Sequence, residues 1–151
     1  MSENDELENI ISEWEDDAKI DTLNIQEETV SAPLLHSKYI KKLSLWKKRK
    51  YTYTNKLATL RKDKIRYFRG EMSKDELSVL GWTQYQGNRL IRSELEETLK
   101  GDPDMLKIQS QIDLIDSVIY VLESIVKMIN SRDFEISNYI KYALFTKGET
   151  F

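Results

Sequence analysis

Residues 105–129 read MLKIQSQIDLIDSVIYVLESIVKMI, and this stretch decides the fold class. Its apolar side chains recur every three or four residues, which is the spacing of one face of an α-helix. Asp102 and Pro103 come directly before it. An aspartate at the N-cap followed by a proline in the first helical position is a strong start signal. The stretch therefore predicts a helix from Pro103 to about residue 130.

Two apolar stripes run side by side along this predicted helix. The first consists of Met105, Ile108, Ile112, Ile115, Ile119, Leu122, Val126 and Ile129, and the second of Leu114, Val118, Val121, Ile125 and Met128. Because one antiparallel neighbour covers only one stripe, we expect the helix to pack inside its own subunit and also against neighbouring subunits. A central core helix in a monomer is the alternative. The residues expected to make contacts between subunits are Ile108, Ile112, Ile115, Val118, Ile119, Leu122, Ile125, Val126 and Ile129.

The rest of the sequence also points to helices. Among the 151 residues 32% are charged, only five are glycine and two are proline, and no stretch alternates β-branched and polar residues. We expect an all-α chain, with a long basic helix over residues 34–69 and the long hydrophobic helix towards the C-terminus. Shorter helices are predicted near residues 74–80, 89–99 and 135–146, with a turn over residues 131–133.

Residues 1–33 form an acidic segment with eleven acids and one base. Leu7, Ile10, Ile11 and Trp14 have the spacing of one face of a short amphipathic helix over residues 2–18; a solvated acidic arm is the alternative. Residues 19–33 are expected to form a linker that ends at Pro33. The predicted domains are therefore an acidic arm with its linker, residues 1–33, and a helical domain, residues 34–151.

The predicted basic helix, residues 34–69, carries thirteen Lys or Arg residues and one acid, Asp63. Its apolar residues follow a heptad rhythm, in which Lys50 and Lys64 fill two places that apolar residues would otherwise take. With almost no acidic partners one helical turn away, the cations repel each other unless an anion binds. Aromatic residues lie among them, most densely in residues 60–70, LRKDKIRYFRG. This combination is typical of single-stranded nucleic-acid binding, because cations contact phosphates and rings stack on bases.

The residues expected to bind single-stranded DNA are Lys41, Lys42, Lys47, Lys48, Arg49, Lys50, Lys56, Arg61, Lys62, Lys64, Arg66, Phe68 and Arg69. Phe68 lies off the heptad seam and is therefore the best expected stacking ring, whereas Trp46, Tyr53 and Tyr67 lie on it. The simplest alternative is a solvated helix face. A second alternative is a coiled-coil scaffold, whose basic helix pairs with the acidic segment of a neighbouring chain and binds no DNA.

Several functional classes are disfavoured by the residue types present. The chain has no cysteine and one histidine, His36, so it offers neither a disulfide nor a Cys/His zinc site. It lacks a glycine-rich phosphate loop and a recognisable catalytic constellation, so we expect no enzyme, catalytic residue, metal or cofactor. The acidic N-terminus is unlike a signal peptide, and charges interrupt residues 105–129. We therefore expect a cytoplasmic protein without membrane contact, in the host cytoplasm if a phage encodes it.

Several short stretches resemble the recombination mediators of T4-type phages, the UvsY family. Residues 35–42, LHSKYIKK, are similar to the family's LYSKWLNK, and residues 131–136, SRDFEI, are similar to its SRGFAI. Residues 7–10, 19–21 and 105–108 resemble family segments in the same order. The family's DNA-contact motif, Lys-Ala-Arg-Leu with an acid and two tyrosines, corresponds to residues 62–68. Lys62 and Lys64 take its lysine and arginine positions, while Asp63 and the lysine at 64 depart from it.

The resemblance implies a non-enzymatic accessory protein. Such mediators form rings of six or seven subunits and bind single-stranded DNA without sequence preference. They also bind a RecA-like recombinase and the phage single-strand-binding protein. They help the recombinase to load onto DNA that the single-strand-binding protein covers. The expected partners are therefore single-stranded DNA, the recombinase, the single-strand-binding protein and further copies of the chain in a ring-shaped homo-oligomer.

Overall fold

The computed structural model describes residues 2–148, which form six α-helices and contain no β-strand. The helices are α1 (Glu3–Asp17), α2 (Ile25–Phe68), α3 (Lys74–Leu80), α4 (Arg92–Lys100), α5 (Pro103–Asn130) and α6 (Arg132–Thr146). The predicted all-α class is confirmed. Helices α3 and α5 have the predicted bounds, whereas α4 begins three residues later than predicted.

Helix α2 begins at Ile25, so the predicted linker is wrong for residues 25–33. Pro33 lies inside the helix. Proline lacks the N–H that an interior position uses, and it usually costs a helix about 3 kcal/mol. The first turn is held by a distant residue, because Arg132 Nη2 donates a hydrogen bond of 2.7 Å to Glu28 Oε2. This tertiary contact helps to offset the local preference to end a helix at proline.

Helix α6 begins at Arg132, so the turn predicted over residues 131–133 is wrong beyond residue 131. The Arg132 side chain is only 5% exposed. Its guanidinium donates to the backbone oxygens of Ala18, at 3.2 Å, and Lys19, at 3.0 Å, directly after α1. Arg132 therefore joins the start of α6 to the end of α1 and to the first turn of α2.

The described residues divide into two compact units, and the first contains residues 2–48 and 114–148. Its buried apolar side chains are Ile10, Tyr39, Leu43, Trp46, Ile115, Val118, Ile119, Leu122, Ile125, Ile129 and Ile136. Helix α1 begins with a capping box between Ser2 and Asp5. Its Trp14 ring packs edge-on against the ring of Tyr39, with 5.5 Å between the centroids. The amphipathic-helix interpretation of residues 2–18 is therefore confirmed.

The second unit contains residues 49–113, including α3 and α4. Leu77, Leu95, Leu99 and Ile112 are its buried apolar side chains. Helix α3 starts with the predicted capping box between Ser73 and Glu76. None of the helices within residues 2–148 combines the length and apolar content that a membrane crossing needs.

Candidate nucleic-acid interface

In the first unit, acidic helix α1 occupies part of the predicted DNA surface. Lys38 Nζ lies 2.7 Å from Glu13 Oε1 and 2.6 Å from Asp17 Oδ2. Lys42 Nζ lies 2.9 Å from Glu13 Oε2. Hydrogen bonds from Lys38 and Lys42 lower the pKa of Glu13, so this carboxyl group is ionised at neutral pH. A phosphate approaching Lys42 would therefore compete with a carboxylate of the chain itself.

The other predicted cations of the first unit are more accessible. Lys41 is exposed and has no ion-pair partner within residues 2–148. Lys47 Nζ lies 3.3 Å from Glu123 Oε1, but the two side chains are 56% and 52% exposed. Exposed pairs of this kind contribute about 0–1 kcal/mol, so a phosphate could displace Glu123 at little cost. Lys48 is also exposed, although it interacts with other residues of the chain.

In the second unit, two of the predicted DNA-binding arginines are engaged by carboxylates. Arg61 Nη2 donates to Glu96 Oε1 at 2.6 Å. Arg66 Nη2 donates to both carboxylate oxygens of Glu76, at 2.9 and 3.1 Å. The backbone N–H of Ser73 and the guanidinium of Arg66 together lower the pKa of Glu76. Arg66 therefore fastens the end of α2 to the first turn of α3, which limits its freedom to bind a phosphate.

Lys64 is buried, with 8% of its surface exposed. Its Nζ donates to Asp104 Oδ2 at 2.8 Å and lies 3.1 Å from Asp102 Oδ1 and 4.5 Å from the centroid of the Trp82 ring. Burial by itself would lower the pKa of Lys64, but the hydrogen bonds to Asp104 and Asp102 outweigh that effect and raise it. Its ammonium group therefore does not lie on the surface that the sequence assigns to it. The heptad position of Lys64 is the signal that predicts an inward direction.

Lys62 and Arg69 carry accessible positive charge on one side of α2 in the second unit. Both side chains are exposed, and neither has an ion-pair partner in the part of the chain that the structure describes. Seven residues are about two helical turns, so the two cations lie on one side of α2, about 10 Å apart along its axis. The remaining predicted cations of this unit are exposed Lys56, exposed Arg49 and half-buried Lys50.

Phe68 belongs to a packed aromatic cluster at the end of α2. Its ring is half-buried and lies 5.2 Å from the rings of both Tyr67 and Tyr85, centroid to centroid. Trp82 completes the cluster, 5.4 Å from Tyr67. The Tyr67 hydroxyl donates to the backbone oxygen of Thr83 at 2.7 Å. No sequence pattern marks Trp82 and Tyr85, which lie between Gly81 and Gly87, as members of this cluster.

Comparison with known proteins identifies the family. The family model described as "Recombination, repair and ssDNA binding protein UvsY" matches residues 13–149. The chain belongs to the UvsY family. The "Recombination protein uvsY" of Enterobacteria phage T4 is 25% identical over 143 residues, which cover 95% of this chain and 98% of that protein. The predicted resemblance is therefore confirmed.

Crystal structures of the bacteriophage T4 recombination mediator protein UvsY share this fold. The lattice type IV structure has a TM-score of 0.79 at 24% identity, over 92% of this chain and 98% of the T4 chain. The lattice type II structure has a TM-score of 0.77 at 24% identity, over 93% and 96% of the two chains. UvsY proteins are recombination mediators and not enzymes. Residues 2–148 contain no group of three or more side chains that could hold a metal ion.

The structure also shows where this UvsY-family chain places the predicted oligomerisation residues. Seven are buried within the single chain: Ile112, Ile115, Val118, Ile119, Leu122, Ile125 and Ile129. Ile108 and Val126 are half-buried. Packing within one chain thus accounts for most of these residues, and their contacts between subunits stay a prediction. By contrast, α6 exposes four rings: Phe134 at 69%, Tyr139 at 40%, Tyr142 at 67% and Phe145 at 73%.

Proposed function

We propose that this protein is a phage recombination mediator. It binds single-stranded DNA without sequence preference and helps a RecA-like recombinase to load onto DNA covered by the phage single-strand-binding protein. It acts in the host cytoplasm, in homologous recombination, recombination-dependent replication and repair. Membership of the UvsY family supports this role, since the family description includes recombination, repair and single-stranded DNA binding.

The observation that carries the proposal is the unpaired positive charge of Lys62 and Arg69 on the exposed side of α2. Exposed cations without internal partners can contact phosphates at no cost in broken ion pairs. Lys41, Lys47 and Lys56 add accessible charge elsewhere on the same helix. Contacts to phosphates alone carry no sequence information, which agrees with binding without sequence preference.

We further propose that the chain acts as a ring of six or seven subunits. Repeating the basic helix in a ring lets weak contacts from each subunit add through effective concentration. The half-buried Ile108 and Val126 and the exposed α6 rings Phe134, Tyr142 and Phe145 offer apolar surface for neighbouring subunits. A sedimentation experiment that finds only monomers at micromolar concentration would contradict this assembly. In this proposal residues 34–151 carry DNA binding and assembly, while acidic helix α1 pairs with Lys38 and Lys42 within its own compact unit.

A second candidate is a scaffold that uses its charged helices to pair with proteins. It is favoured by the engagement of Lys38, Lys42, Arg61, Lys64 and Arg66 with carboxylates of the chain itself. In these pairs, carboxylates of the chain neutralise part of the positive charge of α2 without nucleic acid. The scaffold predicts no affinity for single-stranded DNA at moderate salt, whereas the mediator requires it.

A recombinase-loading assay tests the proposed function. Single-stranded DNA is first covered with the phage single-strand-binding protein, and DNA-dependent ATP hydrolysis by the recombinase is then followed over time. We expect the wild-type chain to shorten the lag before hydrolysis begins. Lys62→Gln/Arg69→Gln should lengthen that lag again, because it removes two exposed cations from the proposed DNA-binding side of α2. A lag that is unaffected by the wild-type chain would overturn the mediator role.

A further inference from the structure

Tyr51 is the most exposed aromatic side chain of the basic helix. Its surface is 69% exposed, whereas Tyr39 and Trp46 of the same helix are 0% and 7% exposed. Tyr53, Tyr67 and Phe68 are half-buried. A single exposed ring is ordinary on a protein surface, so exposure alone does not identify a contact site. Tyr51 is a candidate because its ring lies on a helix rich in cations, where rings and cations together suit single-stranded nucleic acid.

The Tyr51 ring lines a shallow groove of about 480 Å³, which is formed by side chains of α2 alone. Asn55, Lys56, Thr59 and Asp63 line it as well. The groove thus combines a flat ring with hydrogen-bonding groups and a cation, and it contains a single carboxylate. These are the components with which proteins hold unpaired bases and their phosphates.

Helical spacing places Tyr51 on the same side of α2 as Lys62 and Arg69. Lys62 follows it by eleven residues, about three turns or 17 Å along the axis. Arg69 follows it by eighteen residues, about five turns or 27 Å. The helical path continues to Arg69, because its backbone N–H donates to the oxygen of Ile65 at 3.1 Å. A DNA strand that runs along this side of α2 would contact Tyr51 first and then Lys62 and Arg69.

We propose that Tyr51 stacks on a base of single-stranded DNA while Lys62 and Arg69 contact phosphates of the same strand. The ring and cations suit a single strand and not a duplex, because the bases of a duplex are already stacked and turned inward. Stacking is tolerant of sequence, since every base has a π-face. This inference rests on the proposed DNA-binding function and adds the residue that recognises bases.

The test compares two oligonucleotides of equal length and charge, one with bases and one abasic throughout. We expect the wild type to bind the oligonucleotide with bases about tenfold more tightly, which is the magnitude of one stacking contact. Tyr51→Leu keeps an apolar side chain without a π-face and should lose most of this preference. Tyr51→Phe keeps the ring and should retain it. Neither variant should change the salt dependence of binding, because the phosphate contacts remain.

The results separate the inference from the function on which it rests. If the wild type prefers the oligonucleotide with bases and Tyr51→Leu keeps that preference, the stacking role of Tyr51 is wrong while DNA binding stands. If Tyr51→Leu lowers the affinity for both oligonucleotides equally, the result also contradicts stacking. If the wild type binds neither oligonucleotide at moderate salt, DNA binding itself is overturned. Thermal unfolding of each variant confirms that the exposed substitution leaves the fold intact.

Discussion

Lys64 shows at the scale of a single residue why charge alone does not identify a DNA contact. It matches the arginine position of the family motif, yet its ammonium group is buried between Asp102 and Asp104. Its neighbour Lys62 is exposed. The heptad pattern predicts the inward direction of Lys64, whereas the carboxylates that receive it lie 38 and 40 residues away, beyond the reach of local pattern reading. The sequence could therefore predict that one of these lysines turns inward, but not what it meets.

Lys64→Met and Lys62→Met should separate structure from binding. Removing one partner of a buried ion pair leaves buried charge unpaired, so Lys64→Met should lower the free energy of unfolding by about 3 kcal/mol. Lys62→Met changes an exposed side chain and should alter it by less than about 0.5 kcal/mol. Urea unfolding measures both. If Lys64→Met unfolds like the wild type and its DNA binding becomes less sensitive to salt, Lys64 is a phosphate contact after all.

At the scale of helices, local signals succeed where nothing distant competes with them. Asp102 and Pro103 predict the start of α5, and Ser73 with Glu76 predicts the start of α3. Pro33 predicts the wrong start for α2, because Arg132 holds Glu28 in the helical turn before it. The partner of Glu28 lies 104 residues away. Local sequence patterns do not reveal a tertiary contact at that separation. The start of α2 and the start of α6 are therefore predicted incorrectly.

Glu28→Gln should destabilise the protein at neutral pH and make its unfolding less sensitive to acid. Hydrogen bonds from Arg132 and from the backbone of Asp21 lower the pKa of Glu28 below its usual value of 4.5. A carboxyl group with a lowered pKa in the folded state contributes stability above its usual pKa and loses it as the pH falls through the lowered value. The substitution weakens a charge-assisted hydrogen bond and should lower the free energy of unfolding by about 2 kcal/mol near neutral pH.

The difference between wild type and Glu28→Gln should therefore shrink once the pH falls below about 4.5, as Glu28 itself becomes protonated. Urea unfolding at a series of pH values measures this. Glu27→Gln is the matched control, because Glu27 is the exposed neighbour in the same turn. A difference between wild type and Glu28→Gln that is constant from neutral pH to about pH 3 would show that the charge of Glu28 does not hold this turn.

At the scale of the whole molecule, the net charge of −3 conceals a block of thirteen cations in residues 34–69. The structure divides that block. Lys38, Lys42, Arg61, Lys64 and Arg66 bind carboxylates of the chain, while Lys41, Lys56, Lys62 and Arg69 have no ion-pair partner within residues 2–148. Counting charges predicts that the helix is basic. The carboxylates that α1, α3, α4 and α5 bring to α2 determine which cations stay available for an anionic partner.

The salt dependence of single-stranded DNA affinity tests the central claim most directly. Lys62→Gln/Arg69→Gln is compared with Lys74→Gln/Lys107→Gln, which removes the same charge from other exposed positions of the second unit. We expect the wild type and the control to share one steep log–log slope. Lys62→Gln/Arg69→Gln should bind more weakly, with a slope shallower by about 0.7 for each phosphate that the variant no longer neutralises. Equal slopes for all three proteins would contradict the assignment of this side of α2 to DNA.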